Sequence, residues 1–268
     1  MSFDRFRVQT EIENELGCND LNKWNQYYDK LKNYKISETR KNRLETLLKE
    51  DAADLYYKAV YSIADSIYCI SEGRHSWSVV KLYYAVFYLL RCSLATKRHA
   101  FIRNKQIFTI LLEDNEIPIP REKKKIHGDH ATTIATYIDL VGDDDILQTN
   151  KVQETNVYHW IMELRNRIHY RERAFQEPTQ QHFVANLFNK QTAKDQIEEY
   201  LCDKDPKYCF LEDHCCLAAP LKLASIVRND IGVFLERSPL DQPKQNEIKK
   251  LVSSIGLDKS NIFAPIYS

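Results

Sequence analysis

Hydrophobic side chains recur along this chain mainly at the spacing of α-helices. Over residues 51–70 the apolar positions fall three and four apart, which is one face of a helix. Residues 76–97 are apolar around nearly the whole circumference, as in a helix surrounded by other helices. The glycine-containing run 71–75 between them predicts a short turn. We therefore expect an antiparallel pair of long helices at the heart of a bundle.

Shorter helical patterns flank this pair. They cover residues 21–32, 40–49, 130–141, 155–175, 192–200, 214–235 and 246–255. Between them we expect a short extended piece at 100–103 and a brief helix over 105–112. Only 6 glycines and 8 prolines occur in 268 residues, which favours helices over a turn-rich β architecture. The prediction is an all-α fold, with an antiparallel helical bundle in residues 1–183 and a helical C-terminal extension in residues 184–268.

Composition limits the partners and the compartment. Lys plus Arg and Asp plus Glu are equal at 38 each, so any contact with nucleic acid requires a local patch. The amino terminus lacks the apolar core of a signal peptide, and the most apolar run, 79–94, contains two basic residues and is short for a membrane span. Seven cysteines, an odd number, indicate reduced thiols. We expect a cytoplasmic protein with no membrane segment.

The most compact polar constellation lies in the predicted helix 155–175. Arg165 and His169 are four residues apart, so in an α-helix they lie on one face about one turn from each other, at the edge of the apolar stripe. Asn166 is adjacent. A cation that holds a phosphate and an imidazole that transfers a proton are the groups that phosphodiester cleavage requires. The alternative is that both side chains extend to solvent or cap a neighbouring helix.

This segment and the two central helices resemble the HEPN superfamily, small helical bundles found in prokaryotic toxin, CRISPR-associated and phage-defence ribonucleases. The resemblance covers about residues 50–180, including the aromatic-rich run 76–88 of the second central helix. In that family an arginine, often followed by a polar residue, precedes the catalytic histidine by four to six intervening residues. Arg165, Asn166 and His169 match these positions, but only three residues separate the arginine from the histidine.

The resemblance implies a metal-independent endoribonuclease of a bacterial defence or toxin system, acting on RNA as a homodimer. His169 would take the proton of a ribose 2′-hydroxyl or protonate the leaving oxygen, while Arg165 would stabilise the pentavalent phosphate. Asn166 would orient the scissile phosphate. Further contacts to the RNA backbone and to an unpaired base would come from Arg167, Tyr170, Arg171 and Arg173. No cofactor is implied.

A basic segment ahead of the helix expected near Asp129 or His130 is a second candidate. Arg121 and His127 are separated by five residues, which falls within the family spacing. Basic side chains, a glycine and a helix N-terminus together favour anions. The candidate phosphate contacts here are Arg121, Lys124, His127 and His130. The alternative is a solvated basic loop.

The late cysteines do not form a zinc pattern. Closed zinc sites use closely spaced cysteine pairs, and the spacing here is wider. The residues concerned are Cys202, Cys209, Cys215 and Cys216, with His214. We therefore predict no metal site.

The functional alternative is a non-catalytic helical scaffold that binds a protein partner in a defence complex. A ribonuclease requires Arg165 and His169 in one cleft with a basic surface around it. A scaffold requires only an exposed apolar groove, to which the 16 tyrosines could contribute.

Overall fold

The computed structural model describes residues 5–177 and 182–268. Within them α-helices dominate, so the predicted all-α class is confirmed, with a small sheet as an addition. The α-helices are α1 (Arg7–Glu15), α2 (Tyr28–Lys32), α3 (Glu38–Ser71), α4 (His75–Thr96), α5 (Asp129–Val141), α6 (Val157–Asn166), α7 (Ala193–Cys202), α8 (Glu212–Leu235) and α9 (Gln242–Val252). The strands are β1 (His99–Asn104), β2 (Gln106–Leu111) and β3 (Ile119–Pro120).

The chain divides into two compact units, and α3 and α4 contribute residues to both. The first unit comprises Met1–Asp54 and Leu90–Leu140, and the second comprises Leu55–Leu89 and Val141–Ser268. The boundary predicted between residues 183 and 184 falls inside the second unit. As a boundary between independently folding domains it stays a prediction.

Helices α3 and α4 form the predicted antiparallel pair. α3 is one continuous helix, although the sequence pattern suggested the two pieces 40–49 and 51–70. It ends before Gly73, whose φ of 77° is the left-handed conformation that commonly terminates a helix. In the second unit the Ser66 hydroxyl donates to the Ser78 carbonyl (3.4 Å) and the Ser78 hydroxyl to the Ser66 carbonyl (3.3 Å). These bonds join the two helices after the turn.

Helix α4 is buried on every side except one. By length and composition alone it could cross a membrane, but 72% of that apolar window is buried inside the protein, as in the core helix of a soluble protein. Val86, near its middle, is 1% exposed, which confirms the predicted central helix. From residue 77 to residue 95 the side chains that reach the surface form one stripe with spacings of four and three: Trp77, Lys81, Tyr84, Tyr88 and Arg91.

The prediction of a brief helix over residues 105–112 was wrong, because this segment is strand β2. β2 pairs antiparallel with β1, with Ile102 opposite Phe108, and Lys105 makes the turn at a φ of 57°. β3 lies on the other side of β2. A short apolar run fits either a strand or a buried helix, and here β1, already expected to be extended, supplies its backbone partner.

Helix α8 carries much of the core of the second unit. Leu217 and Val227 on this helix are fully buried. Pro220 lies within α8. The Tyr56 hydroxyl of α3 donates to the carbonyl of Ile266 at 2.6 Å and so fixes the last described residues to the same unit.

Candidate functional site

Helix α6 carries the predicted site and is shorter than the predicted span 155–175. Its first turn is capped by Asn156, whose side-chain oxygen accepts a backbone N–H at 3.0 Å. Beyond α6 the chain continues as a π-helical turn, Arg167–Arg171, closed by the N–H of Glu172 on the Arg167 carbonyl at 2.9 Å. Such turns are rare and occur often at functional sites.

Arg165, near the end of α6, is buried among three tyrosine rings. Its side chain is 7% exposed, and its guanidinium carbon lies 4.7 Å from the ring centroid of Tyr170, 5.3 Å from that of Tyr83 and 5.4 Å from that of Tyr84. Tyr170 follows Arg165 by five residues, the period of π-helical hydrogen bonding. The wide turn therefore places the Tyr170 ring over the guanidinium.

The hydrogen bonds of Arg165 leave one buried donor unused. Nη1 donates to Asn166 Oδ1 and Nη2 donates to the Tyr84 hydroxyl, each at 3.0 Å. Nε is buried and has no acceptor in the part of the chain that the structure describes, and no carboxylate there forms an ion pair with this guanidinium. A buried charge without a counter-ion is destabilising by several kcal/mol. A buried arginine of this kind, beside accessible side chains, is a candidate site for an anion.

His169 lies in the π-helical turn against two aromatic rings. Its ring centroid is 4.5 Å from that of Tyr170 and 5.5 Å from that of Trp77, which also lies 5.5 Å from the Phe175 ring. Its nitrogens make no hydrogen bond within residues 5–177 and 182–268. Arg165 and His169 thus contact the same ring, that of Tyr170. The arginine–aromatic cluster is the set Trp77, Tyr84, Arg165, His169, Tyr170 and Phe175.

The flanking arginines of the π-helical turn are exposed and engaged in local pairs. Arg167 Nε lies 3.5 Å from Glu172, and its Nη2 donates to His182 Nε2 at 2.8 Å. Burial, and then the charge of Arg167, lower the pKa of His182 to about 4, so its neutral ring is the acceptor. Arg171 pairs with Glu163. Exposed ion pairs contribute only about 0–1 kcal/mol to stability, so a phosphate can replace Glu172 or Glu163 as the partner of these arginines.

The second predicted segment lies in the first compact unit. Arg121 already has two partners there, because its Nη1 lies 3.2 Å from Asp139 and its Nε donates to the Thr109 hydroxyl at 2.5 Å. These contacts attach the segment to α5 and β2. Lys124 and His127 are exposed to solvent.

Acidic side chains occupy the start of α5, where an anion was predicted. The helix begins at Asp129, in agreement with the sequence pattern, and the Asp129 carboxylate lies 3.4 Å from Arg103. The N–H of Gly128 donates to the Glu122 carboxylate at 3.2 Å. His130, in the first turn, is half-buried. The protein itself therefore supplies the negative charge that this helix N-terminus favours.

Six of the seven cysteines are buried, and Cys202 is exposed. All seven cysteines are free thiols, and among the described residues no group of three or more His, Cys, Asp or Glu side chains is placed to hold a metal ion. Burial raises the pKa of Cys209 to about 12, which keeps it a thiol. His214 Nδ1 lies 2.8 Å from the Tyr200 hydroxyl.

Sequence reasoning missed the part of the cluster that lies outside α6 and its π-helical turn. Trp77 and Tyr84 come from α4, which the sequence pattern predicted to be apolar around nearly its whole circumference. They are seven residues apart and share a face, and a tryptophan followed by Lys81 and Tyr84 at this spacing was a detectable sign of an accessible stripe. Phe175 gave no comparable signal, because it lies beyond the π-helical turn.

No protein-family model matches the chain, no curated protein matches it and no solved structure matches it. The resemblance to the HEPN superfamily stays a prediction. It rests on the two central helices and on Arg165, Asn166 and His169.

Proposed function

We propose that this protein is a metal-independent endoribonuclease of HEPN type, acting in the cytoplasm as a homodimer within a bacterial defence or toxin system. The observation that supports the proposal is the desolvated guanidinium of Arg165, which lacks a carboxylate partner in the described chain. Beside it stands His169, whose nitrogens are unused. An RNA phosphodiester supplies the missing negative charge, and an arginine in a site of low dielectric constant binds it strongly.

In the proposed reaction the ribose 2′-oxygen attacks the adjacent phosphorus, and the bond between phosphorus and the 5′-oxygen breaks. His169 performs one of the two proton transfers: it takes the proton of the 2′-hydroxyl or gives a proton to the leaving 5′-oxygen. A water molecule performs the other transfer. Arg165 stabilises the charge that develops on the non-bridging oxygens, and Asn166 orients the phosphate. The products are a 2′,3′-cyclic phosphate and a 5′-hydroxyl, so the step consumes neither a redox partner nor a water molecule.

The purified full-length chain should therefore cleave end-labelled RNA in excess chelator. We expect His169→Ala and Arg165→Ala each to lose at least about 100-fold in rate, the usual contribution of a proton-transfer group or an electrostatic donor. His159→Ala is the matched control, because His159 lies on α6 outside the arginine–aromatic cluster, and it should stay within about twofold of wild type. The cleaved 3′ ends should carry cyclic phosphate.

Two outcomes contradict the proposal. Equal cleavage by wild type, His169→Ala and Arg165→Ala assigns the activity to a contaminant or another site. Complete absence of cleavage, with folded protein and a range of RNAs, favours the scaffold.

The second candidate function is a non-catalytic scaffold of a defence complex. The spacing of Arg165 and His169 favours it, because the three intervening residues are fewer than the four to six of the family. With four intervening residues the family histidine would stand at position 170, where this chain has Tyr170 stacked on Arg165. The surface argues against a tyrosine-lined groove, because Tyr61 and Tyr170 are the only exposed tyrosines among the described residues. A scaffold would have to bind its protein partner through another surface.

A further inference from the structure

Three large apolar side chains come to the surface together around His169. Trp77 is 46% exposed, Phe175 42% and Tyr170 65%. Ring contacts link them in the order Phe175, Trp77, His169, Tyr170, with centroid separations of 5.5, 5.5 and 4.5 Å. Exposed aromatic groups that cluster on one surface mark a binding site more often than isolated ones do.

The line of rings from Phe175 to Tyr170 has two chemically different ends. At one end Tyr170 covers the Arg165 guanidinium at 4.7 Å, where a phosphate would bind. At the other end Trp77 and Phe175 present ring surface and no charge. His169 lies between the ends and contacts both Trp77 and Tyr170. This order matches one nucleotide unit, with the base at the uncharged end and the reacting phosphate at the cationic end.

We propose that Trp77 and Phe175 form a base subsite that holds one unpaired nucleobase beside the scissile phosphate. The inference rests on the proposed function and adds which side chains of this chain hold the base next to the cleaved phosphate. A paired base within a helix hides its faces in the stack, whereas an unpaired base offers a face to an aromatic side chain. The occupant is RNA because Arg167 and Arg171 in the same turn are exposed, and a phosphate backbone can replace the acids Glu172 and Glu163 with which they pair.

The test measures binding of a labelled 2′-O-methyl RNA 12-mer, which has no free 2′-hydroxyl and is not cleaved, as a single strand and as a duplex. Wild type should bind the single strand at least about 10-fold more tightly. Trp77→Ala should weaken single-strand binding roughly 5- to 150-fold, the loss of one stacked base, and leave duplex binding unchanged. Trp77→Phe keeps a ring and should retain most of the affinity. Tyr61→Ala removes an exposed aromatic ring on α3 of the same unit and is the matched control.

The outcomes separate this inference from the function on which it rests. Unchanged single-strand affinity in Trp77→Ala, with cleavage still dependent on His169, overturns the base subsite and leaves the ribonuclease intact. Equal binding of single strand and duplex by wild type also overturns the subsite. A change in oligomeric mass of Trp77→Ala, with RNA affinity unchanged, assigns the rings to a protein interface and overturns it as well. No RNA binding by any folded variant overturns both proposals.

Discussion

Arg165 is the residue whose surroundings are hardest to explain by stability alone. Two hydrogen bonds and three tyrosine rings stabilise its guanidinium, and each ring contributes about 0.5–2 kcal/mol. Against this stands the desolvation of a full charge that has no carboxylate partner in the described chain, which is destabilising by several kcal/mol. These contributions are similar in size and opposite in sign, so stability alone does not account for a buried cation here, and the proposed phosphate site does.

Replacing Arg165 by methionine should separate stability from function. Met fills similar space without a charge, so we expect the free energy of unfolding to rise by about 1–3 kcal/mol while RNA cleavage is lost. The polar partners Asn166 and Tyr84 are partly accessible and can turn to water. Urea denaturation and a cleavage assay measure the two effects. Arg171→Met, at an exposed and paired arginine, should change stability by no more than about 0.5 kcal/mol. If Arg165→Met instead lowers the free energy of unfolding by more than about 2 kcal/mol, the charge of Arg165 stabilises the fold and the prediction is wrong.

Among the elements, α4 shows most clearly how a hydrophobic pattern is satisfied. Its apolar circumference predicts a buried helix, and the structure surrounds it except along the stripe that begins with Trp77 and Tyr84. That stripe consists of residues with an apolar body and a polar end, which suit a half-exposed position. The same helix therefore contributes to the core and supplies one wall of the arginine–aromatic cluster.

A charge at the centre of α4 should unfold the second unit. Val86 is 1% exposed, so Val86→Asp buries an unpaired carboxylate. We expect the free energy of unfolding to fall by more than about 4 kcal/mol, or the protein to be insoluble. The same substitution at Val233, which is 81% exposed on α8, is the control and should melt close to wild type. Circular dichroism melts and the soluble fraction on expression report the difference. A soluble Val86→Asp with a wild-type melting temperature would place this face of α4 at the surface.

For the whole molecule, formal neutrality means that any attraction to RNA comes from local patches. The 38 basic and 38 acidic residues balance, and most arginines of the candidate sites already pair with acids. The largest unpaired basic run among the described residues is Lys123, Lys124 and Lys125 in the loop before α5, all exposed. Such a run increases the rate of encounter with a polyanion without specifying its sequence.

Reversing these three lysines to glutamate should weaken RNA binding and flatten its dependence on salt. Each phosphate contact that is lost reduces the slope of log affinity against log salt by about 0.7 for single-stranded RNA. Titrations of a labelled RNA between low and physiological salt measure that slope. The control reverses Lys30, Lys32 and Lys35, which are also exposed in the first unit and change the net charge equally. If the loop variant binds like wild type at every salt concentration, the RNA is held by the arginine–aromatic cluster alone, or RNA is not the ligand.

The sequence by itself determined the helical class, the α3–α4 pair with its turn, and the identity of Arg165, Asn166 and His169 as a polar group on one segment. These features follow from local spacing and from turn residues such as Gly73, which act over a few residues. The sequence did not determine β2, because a short apolar run becomes a strand only when another strand offers its backbone.

Only the tertiary structure decided what surrounds Arg165. The π-helical turn moves Tyr170 onto the guanidinium, and α4 brings Tyr84 to it from 81 residues earlier in the chain and Trp77 to the ring of His169. Packing between helices distant in sequence sets which donors are buried and which carboxylates lie within reach, and no local pattern records either. A cation without a counter-ion is therefore visible only once the chain is folded.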